Sequence, residues 1–295
     1  MIDIHTHLYF PDYDADRKET IERAFSAGIR HMISVSTSPE DHGKALEVST
    51  MDERIFAAVG LHPHWFDEQY RKNDSGYSVR DRGEYTNAPL TEIRDRFSEQ
   101  LDEIRTLVSS NPKIVAIGEC GLDYFSHTGE ILTDERKAWQ KEGFVAQIRL
   151  AQEINLPMII HCRDAYEDLL EIIGQYGGET IFVIHCYMGD TEVTRKFLTL
   201  PNVYFSFTGN ITYPVKKALE ETENDIRETV KLVPLERMFM ETDCPFLAPV
   251  PHRGKRNEPS FVVKVAKKIA EIKGCSIASV SESVEENRKT VFGMV

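Results

Sequence analysis

The chain has 295 residues, of which 41% are hydrophobic and 28% are charged, and its formal net charge is −13. This is an ordinary globular composition, and the excess of acid excludes a module that coats duplex nucleic acid through a broad basic face. It is compatible with an enzyme that binds a nucleic-acid end or a small phosphate ester, if metals and a few local cations supply the attraction. No window approaches the roughly 18 apolar residues that a membrane span requires.

The N-terminus and the cysteines bear on the compartment. The opening residues "MIDIH" contain no basic region followed by an apolar run, so we expect no secretory signal. The five cysteines form no disulfide-like framework. Both features favour a reduced compartment, the cytoplasm, and we expect neither a membrane partner nor an obligate protein partner.

Eight short, apolar runs rich in β-branched residues recur along the chain and predict strands. They are Ile2–His5, His31–Ser36, Ile55–Gly60, Lys113–Glu119, Pro157–His161, Thr180–His185, Val203–Phe207 and Arg237–Asp243. Amphipathic segments between or after them predict helices at Arg17–Gly28, Glu135–Ile154, Ala165–Gly177 and Phe261–Gly274. Eight strand–helix units predict an α/β fold, a (β/α)₈ TIM-type barrel. A doubly wound open sheet is the alternative, but no glycine-rich phosphate motif follows the first strand.

One segment, residues 66–90, departs from this rhythm because it is polar and lacks an apolar period. It is either a surface insertion or a lid over the active face. We expect residues 1–295 to form a single domain that carries this insertion.

Ionisable side chains gather where the predicted strands end. They are His5, His7, His62, His64, Glu119, His161, His185 and Asp243. In a (β/α)₈ barrel the carboxyl ends of the strands converge on one mouth, where the active sites of such enzymes lie. A single residue of this kind often has only a structural role, whereas the whole set predicts a metal site.

Imidazoles and carboxylates together suit divalent ions such as Zn²⁺, Mn²⁺ or Co²⁺, and Mg²⁺ stays open. Six candidate ligands are too many for one open catalytic site, and they divide into two sites that share a bridging carboxylate. Glu119 is the natural bridge. The candidate ligands are His5, His7, Glu119, His161, His185 and Asp243. Two such ions would clamp a phosphoryl or carbonyl oxygen and generate hydroxide near neutral pH.

Four cysteines, Cys120, Cys162, Cys186 and Cys244, each follow a candidate ligand directly. Successive strand side chains point to opposite faces, so if His185 points into the barrel, Cys186 points out. We expect all four to be small buried apolar side chains between sheet and helices. The alternative is a Cys₄ zinc site outside the barrel, which no paired cysteine spacing supports.

At these residues the chain resembles the TatD family of metal-dependent hydrolases, in the amidohydrolase superfamily. The similar stretches, spread in order over nearly the whole chain, are "DIHTHL" (Asp3–Leu8), "GLHPH" (Gly60–His64), "IGECGLDY" (Ile117–Tyr124), "IIHCRDA" (Ile159–Ala165), "VIHCYMG" (Val183–Gly189), "ETDCPFLAP" (Glu241–Pro249) and "RGKRNEP" (Arg253–Pro259). The resemblance implies a (β/α)₈ barrel and a divalent-metal deoxyribonuclease of the 3′–5′ exonuclease type.

The resemblance also implies a role for each ligand. One metal would be held by His5, His7, Glu119 and Asp243, and the other by Glu119, His161 and His185. Asp243 would be the general base, so Asp243 and Glu119 are the expected catalytic residues. Other branches of the superfamily bridge their metals with a carboxylated lysine on strand four, a place that Glu119 fills here. The polar insertion after His64 is longer than the family pattern implies.

Five further residues are expected to contact substrate: His62, His64, Arg163, Arg253 and Lys255. Arg163 lies two residues after a candidate ligand, and Arg253 and Lys255 belong to the basic loop "HRGKRN" (His252–Asn257). Such a loop at the mouth of an acidic protein suggests phosphate capture. The alternative is a solvated loop in which Arg253 is held in a structural salt bridge.

These features predict metal-assisted hydrolysis in which a water loses its proton to Asp243 and attacks phosphorus, with DNA ends or single-stranded DNA as substrate. An acyl or amide hydrolase, acting for example on an aminoacyl-tRNA ester, is the first alternative, because the same centre can serve both electrophiles. A non-catalytic metal-binding or nucleic-acid-binding barrel is the second. The native metal, the choice between DNA and RNA, the polarity and the oligomeric state stay open.

Overall fold

The computed structural model describes residues 1–68, 90–125, 132–220, 222 and 224–294. Residues 69–89, which make up most of the predicted insertion at 66–90, lie outside the described residues, and so does the lid interpretation. No helix in the described part is long and apolar enough to cross a membrane.

Eight parallel strands form one sheet whose spatial order is the order of the chain. They are β1 (Ile2–Thr6), β2 (His31–Val35), β3 (Ile55–Val59), β4 (Ile114–Asp123), β5 (Met158–Arg163), β6 (Phe182–Ile184), β7 (Val203–Phe207) and β8 (Met238–Met240). The last strand returns to the first through a bridge between Thr6 and Cys244, where the backbone amide of His7 donates to the Cys244 carbonyl at 2.9 Å. The predicted (β/α)₈ TIM-type barrel is confirmed.

Strand β4 differs most from its prediction, since it continues to Asp123 instead of ending at Glu119. Its pairing with β5 is interrupted by a register shift between Ile117 and Cys120, so Glu119 lies in an irregular stretch of the strand. Gly121 has a φ of 138°, and a Cβ there would lie 2.1 Å from a carbonyl oxygen of β5. Irregularities of this kind re-aim side chains, and this one sets the direction of Glu119.

Ten α-helices surround the sheet in the described part of the chain. They are α1 (Arg17–Ser26), α2 (Pro39–Thr50), α3 (Pro63–Glu68), α4 (Leu90–Ser110), α5 (Asp134–Ile154), α6 (Tyr166–Tyr176), α7 (Thr191–Leu198), α8 (Ile226–Leu232), α9 (Val262–Lys273) and α10 (Ile277–Phe292). The four helices predicted from the sequence are α1, α5, α6 and α9. Helices α7 and α8 have eight and seven residues, which is too short for a clear apolar period.

An aromatic cluster fixes the segment that follows β3. Trp65 and Phe66 of α3 pack against Phe97 of α4 and Trp139 of α5, and the Phe66 centroid lies 5.4 Å from that of Phe97 and 5.5 Å from that of Trp139. All four rings are buried. Because buried aromatic pairs contribute strongly to stability, this cluster anchors α3, which carries His64, and the loop before it, which carries His62.

Two helix glycines offer a matched test of this packing. A Cβ at Gly143 of α5 would lie 2.0 Å from Cζ of the buried Phe66 ring. We therefore expect Gly143→Ala to lower the free energy of unfolding by about 1–3 kcal/mol through overpacking. Gly174 of α6 is exposed and has nothing within 4 Å of its Cβ position. Because alanine favours a helix more than glycine does, Gly174→Ala should raise the free energy of unfolding by about 0.5–1 kcal/mol. Urea unfolding measures both, and changes of the same sign would contradict the packing described.

Three of the four cysteines that follow candidate ligands, Cys120, Cys162 and Cys244, are buried as predicted. Cys186 is half-buried instead, because β6 ends two residues before it and its backbone is left-handed, with a φ of 44°. Its Sγ lies 3.8 Å from Oγ1 of Thr208. Among the described residues, the groups of three potential metal ligands contain no cysteine, which argues against the Cys₄ site.

Candidate metal centre

The structure brings all six predicted ligands to the carboxyl end of the barrel. Strands β1, β4 and β5 contribute side chains directly, and the turns after β1, β6 and β8 contribute the others. They are His5 of β1, His7 after it, Glu119 of β4, His161 of β5, His185 after β6 and Asp243 after β8. His185 and Asp243 were predicted as the last residues of their strands and lie just beyond them, because β6 and β8 have only three residues each.

The Glu119 carboxylate lies between four imidazoles. Its Oε1 is 2.9 Å from Nδ1 of His161, 2.9 Å from Nε2 of His185 and 3.4 Å from Nε2 of His62. Its Oε2 is 3.4 Å from Nε2 of His5. Glu119 is 3% exposed, so this anion is shielded from bulk water and joins both halves of the cluster.

A second group of ligand atoms forms where the barrel closes. Oδ1 of Asp243 lies 3.4 Å from Nε2 of His7 and 3.8 Å from Nε2 of His5. The two Nε2 atoms are 3.1 Å apart. The backbone amide of Asp243 donates to the carbonyl of His5 at 3.0 Å, which fixes the turn after β8 against β1.

Two of the ring nitrogens that face away from the cluster bond to acceptors, and a third lies near a carboxylate. Nδ1 of His7 lies 2.8 Å from the carbonyl oxygen of Val35, and Nε2 of His161 lies 3.0 Å from Oδ2 of Asp123. Nδ1 of His185 lies 3.4 Å from Oε1 of Glu241. A proton held on the outer nitrogen leaves the inner nitrogen with a lone pair, the arrangement that metal-ligating histidines adopt.

Burial and charge set the ionisation of the cluster. Burial lowers the pKa of His5 and lowers that of His62 to about 3, so both rings are neutral at neutral pH. Burial would raise the pKa of Glu119, but its electrostatic interactions with the imidazoles around it, His185 foremost, and its hydrogen bond to His161 outweigh burial and hold that pKa well below its usual value. For Asp243 too, burial is outweighed, by the hydrogen bond to His7 and the charges nearby, so its pKa is lowered. Both carboxylates are therefore anions, and the carboxylates of the site outweigh burial to raise the pKa of His7, His161 and His185.

This donor set fits a divalent metal ion. The potential ligands form three groups, and within each group the ligand atoms lie within 4.8 Å of one another. The groups are His5 with Glu119 and His185, His5 with His7 and Asp243, and His62 with Glu119 and His161. Ring nitrogens only about 3 Å apart can share one proton at most, and a cation between them satisfies every lone pair. Buried imidazoles with ionised carboxylates are the ligands of Zn²⁺ and similar ions. His62, predicted as a substrate contact, lies within this ligand cluster.

Two carboxylates of the site were missed by the sequence analysis, Asp123 and Glu241. Oδ2 of Asp123 accepts from His161 and lies 3.1 Å from Nε2 of His64, the other predicted substrate histidine after β3. Glu241 is fully buried and its Oε1 accepts from the backbone amide of Cys186 at 2.6 Å. The signal for Glu241 was its place near the end of the predicted strand Arg237–Asp243, the region where the other ionisable side chains of the site also lie.

Because Asp123 orients His161 without joining the ligand cluster, we expect Asp123→Asn to weaken metal binding by about 10–100-fold. The charge that holds the His161 proton on Nε2 is lost, so Nδ1 is a poorer ligand. Asp168→Asn is the matched control, since that carboxylate bonds to Tyr124 and Lys141 instead. Titration of the metal-free proteins with Zn²⁺ measures both affinities. Equal affinities for the two variants would contradict the orienting role.

The predicted basic contacts lie on two sides of the mouth. The guanidinium of Arg163, at the end of β5, lies 3.4 Å from the ring centroid of Phe125. Arg253 is exposed and lies 4.5 Å from the ring centroid of Tyr213, and no salt bridge joins it to another residue in the described part of the chain. The neighbouring Lys255 is exposed. Arg163 and Arg253 each lie against an aromatic ring, which limits the motion of their guanidinium groups.

Comparison with known proteins agrees with this geometry. A family model described as "TatD related DNase" matches residues 2–293. The uncharacterized metal-dependent hydrolase YabD of Bacillus subtilis is 37% identical over 293 residues, which cover 99% of this chain and 98% of that protein. A protein of Escherichia fergusonii named 3′-5′ ssDNA/RNA exonuclease TatD is 28% identical over 299 residues, 100% of this chain and 99% of the relative.

The crystal structure of YjjV, a TatD homologue from Escherichia coli K12, has the same fold. It superposes with a TM-score of 0.80 at 23% sequence identity, and the match covers 100% of this chain and 98% of that one. Sequence relationship over the whole chain, a shared barrel and a strand-end cluster of histidines and carboxylates agree with one another. This chain belongs to the TatD family of metal-dependent hydrolases.

Proposed function

We propose that this hydrolase cleaves phosphodiester bonds in single-stranded DNA, removing nucleotides from the 3′ end with two divalent metal ions. The observation that carries the proposal is the Glu119 carboxylate, held among four imidazoles at a mouth that also presents stacked arginines. The relative named 3′-5′ ssDNA/RNA exonuclease supports the choice of substrate and polarity. RNA is the second nucleic acid that this name includes.

In this proposal six residues hold the two ions and Glu119 belongs to both sites. The first ion is assigned to His5, His7, Glu119 and Asp243, and the second to Glu119, His161 and His185, which is the division that the family resemblance implies. Among the described ligand atoms, His185 groups with His5 and Glu119, and His62 groups with Glu119 and His161. Zn²⁺, Mg²⁺, Mn²⁺ and Co²⁺ are all candidates. When bound, the ions would lower the pKa of a water molecule and neutralise charge on the phosphoryl oxygens.

Asp243 is the proposed general base. Its carboxylate is ionised, because its pKa is held below the usual value, and its side chain is partly exposed at the mouth. It can therefore accept the proton of an attacking water, a contribution of about 10²–10⁴ in rate for a well-placed base. The 3.4 Å contact between its Oδ1 and Nε2 of His7 keeps it directed at the reacting position.

The exposed cations would hold the phosphates of the substrate. Arg163 and Arg253 each lie on an aromatic face, which limits their motion and leaves N–H groups for phosphate oxygens. Lys255 adds a mobile charge, and His64, the other proposed substrate contact, is partly exposed and lies 3.1 Å from Oδ2 of Asp123 through its Nε2. In a chain of net charge −13, such local cations offset the general repulsion of an anionic substrate.

The test uses protein stripped of metal and reloaded with Mg²⁺, Mn²⁺ or Zn²⁺. Single-stranded DNA labelled at its 5′ end and an aminoacyl-tRNA are offered in parallel. A metal-dependent ladder of shortened, 5′-labelled DNA is the expected result and establishes 3′–5′ polarity. Release of the amino acid with the DNA untouched would assign the centre to acyl hydrolysis. The free state of all five cysteines supports the cytoplasm as the place of this reaction.

A further inference from the structure

A large apolar side chain is exposed beside the metal centre. Phe246, three residues after Asp243, is 52% exposed. Its ring centroid lies 6.4 Å from that of His7, at an interplanar angle of 65°, and 6.0 Å from that of Phe10. An exposed phenylalanine forgoes the stabilisation that burial would give, so a position like this one suggests a ligand.

The backbone holds Phe246 in place. Its amide donates to the carbonyl of Asp243 at 2.9 Å, and its carbonyl accepts from Nδ2 of Asn257 at 2.6 Å. The same Nδ2 donates to the carbonyl of Thr242 at 2.8 Å, and Asn257 is fully buried. The ring is therefore presented on a rigid turn that ties the two ends of the loop after β8 together, which lowers the entropic cost of binding a ligand on its face.

Charge indicates which side of the mouth a phosphate chain would cross. Beyond β5 and β6 lies a cavity of about 490 Å³ whose lining includes Asp164, Glu167 and Asp190, which would repel phosphates. The loop after β8 carries the exposed Arg253 and Lys255 within ten residues of Phe246. A nucleic-acid strand is therefore directed across this loop.

We infer that Phe246 stacks on the nucleobase next to the scissile phosphate, an inference that rests on the proposed function. Every base has a π-face, so stacking binds single strands without sequence preference. The separation between the Phe246 and His7 rings is less than two nucleotide rises of about 3.4 Å, which places the stacked base beside the reacting phosphate. Because a base within a duplex is already stacked on its neighbours, this contact favours a single strand or a frayed end.

The test pairs protein variants with a change in the base. Oligonucleotides end at the 3′ side in thymidine or in 5,6-dihydrothymidine, which keeps the polar edge but loses the planar aromatic ring. Wild type should cleave the thymidine substrate with a KM about tenfold lower. Phe246→Ala and Phe246→Leu should raise KM on thymidine about tenfold and remove this difference, whereas Phe246→Trp should keep it.

Met51→Ala is the matched control, because Met51 is 37% exposed but follows α2 at the opposite end of the barrel. It should behave as wild type, and equal Tm values would show that all variants fold. If wild type cleaves both oligonucleotides equally and Phe246→Ala is unchanged, the stacking inference is overturned and the proposed function stands. If the wild-type protein cleaves neither oligonucleotide with any of the metals, the stacking inference and the proposed function are both overturned.

Discussion

Glu119→Ala will lower metal-dependent hydrolysis by about 10³-fold or more. The Glu119 oxygens lie within 3.4 Å of four imidazole nitrogens, so this carboxylate is the one group shared by both proposed metal positions. A bound metal contributes several kcal/mol to a hydrolytic transition state, and about 4 kcal/mol corresponds to a 10³-fold change in rate. Initial rates on end-labelled single-stranded DNA, together with the metal content of the purified variant, measure the effect.

Glu167→Ala is the control for this experiment. Glu167 is an exposed carboxylate of α6 that pairs with Lys196 and contacts none of the candidate ligands. It should keep the wild-type rate and metal content. A Glu119→Ala variant with the wild-type rate and the wild-type number of ions would show that the bridging position is wrong.

Asp243→Asn will lower kcat by about 10²–10⁴-fold while much of the bound metal stays in place. The amide oxygen can still face a cation, but the amide cannot take a proton from water. Since the pKa of Asp243 is held below its usual value, the wild-type carboxylate is ionised across the neutral range and only the variant lacks the base. Steady-state kinetics at saturating metal separate kcat from metal affinity.

Asp123→Asn provides the contrast, because it should weaken metal binding and recover most of its kcat when metal is in excess. Substitution of Asp123 should therefore change mainly the metal affinity, and substitution of Asp243 should change mainly kcat. Turnover near the wild-type value by Asp243→Asn with its metals bound would remove Asp243 from the role of general base.

The positions of the site residues could be predicted where strand side chains alternate regularly, and were missed where a strand ends or becomes irregular. The spacing of His5 and His7 correctly placed them side by side. Glu241 lies beyond the three residues of β8, where alternation no longer applies. Asp123 was missed because its strand was expected to end at Glu119. The irregularity in β4 comes from pairing between distant segments, which a local sequence pattern does not contain.

The fold was predictable where its elements carry a clear apolar pattern, but length alone was not sufficient, since α4 with 21 residues and α10 with 16 residues were not predicted. All eight strands could be located because each contains a short apolar run, and α5 shows its period over 21 residues. Helices α7 and α8 are too short for this. The half-burial of Cys186 depends on where β6 stops pairing with its neighbours, a tertiary property that residue alternation does not report.

Anomalous diffraction from crystals of the wild-type protein loaded with Mn²⁺ tests the central claim most directly. The account predicts two peaks about 4 Å apart, with the Glu119 carboxylate in contact with both. One should lie against His5, His7 and Asp243, and the other against His161 and His185. A single peak, or peaks that do not contact Glu119, would contradict a two-metal centre at the mouth of this barrel.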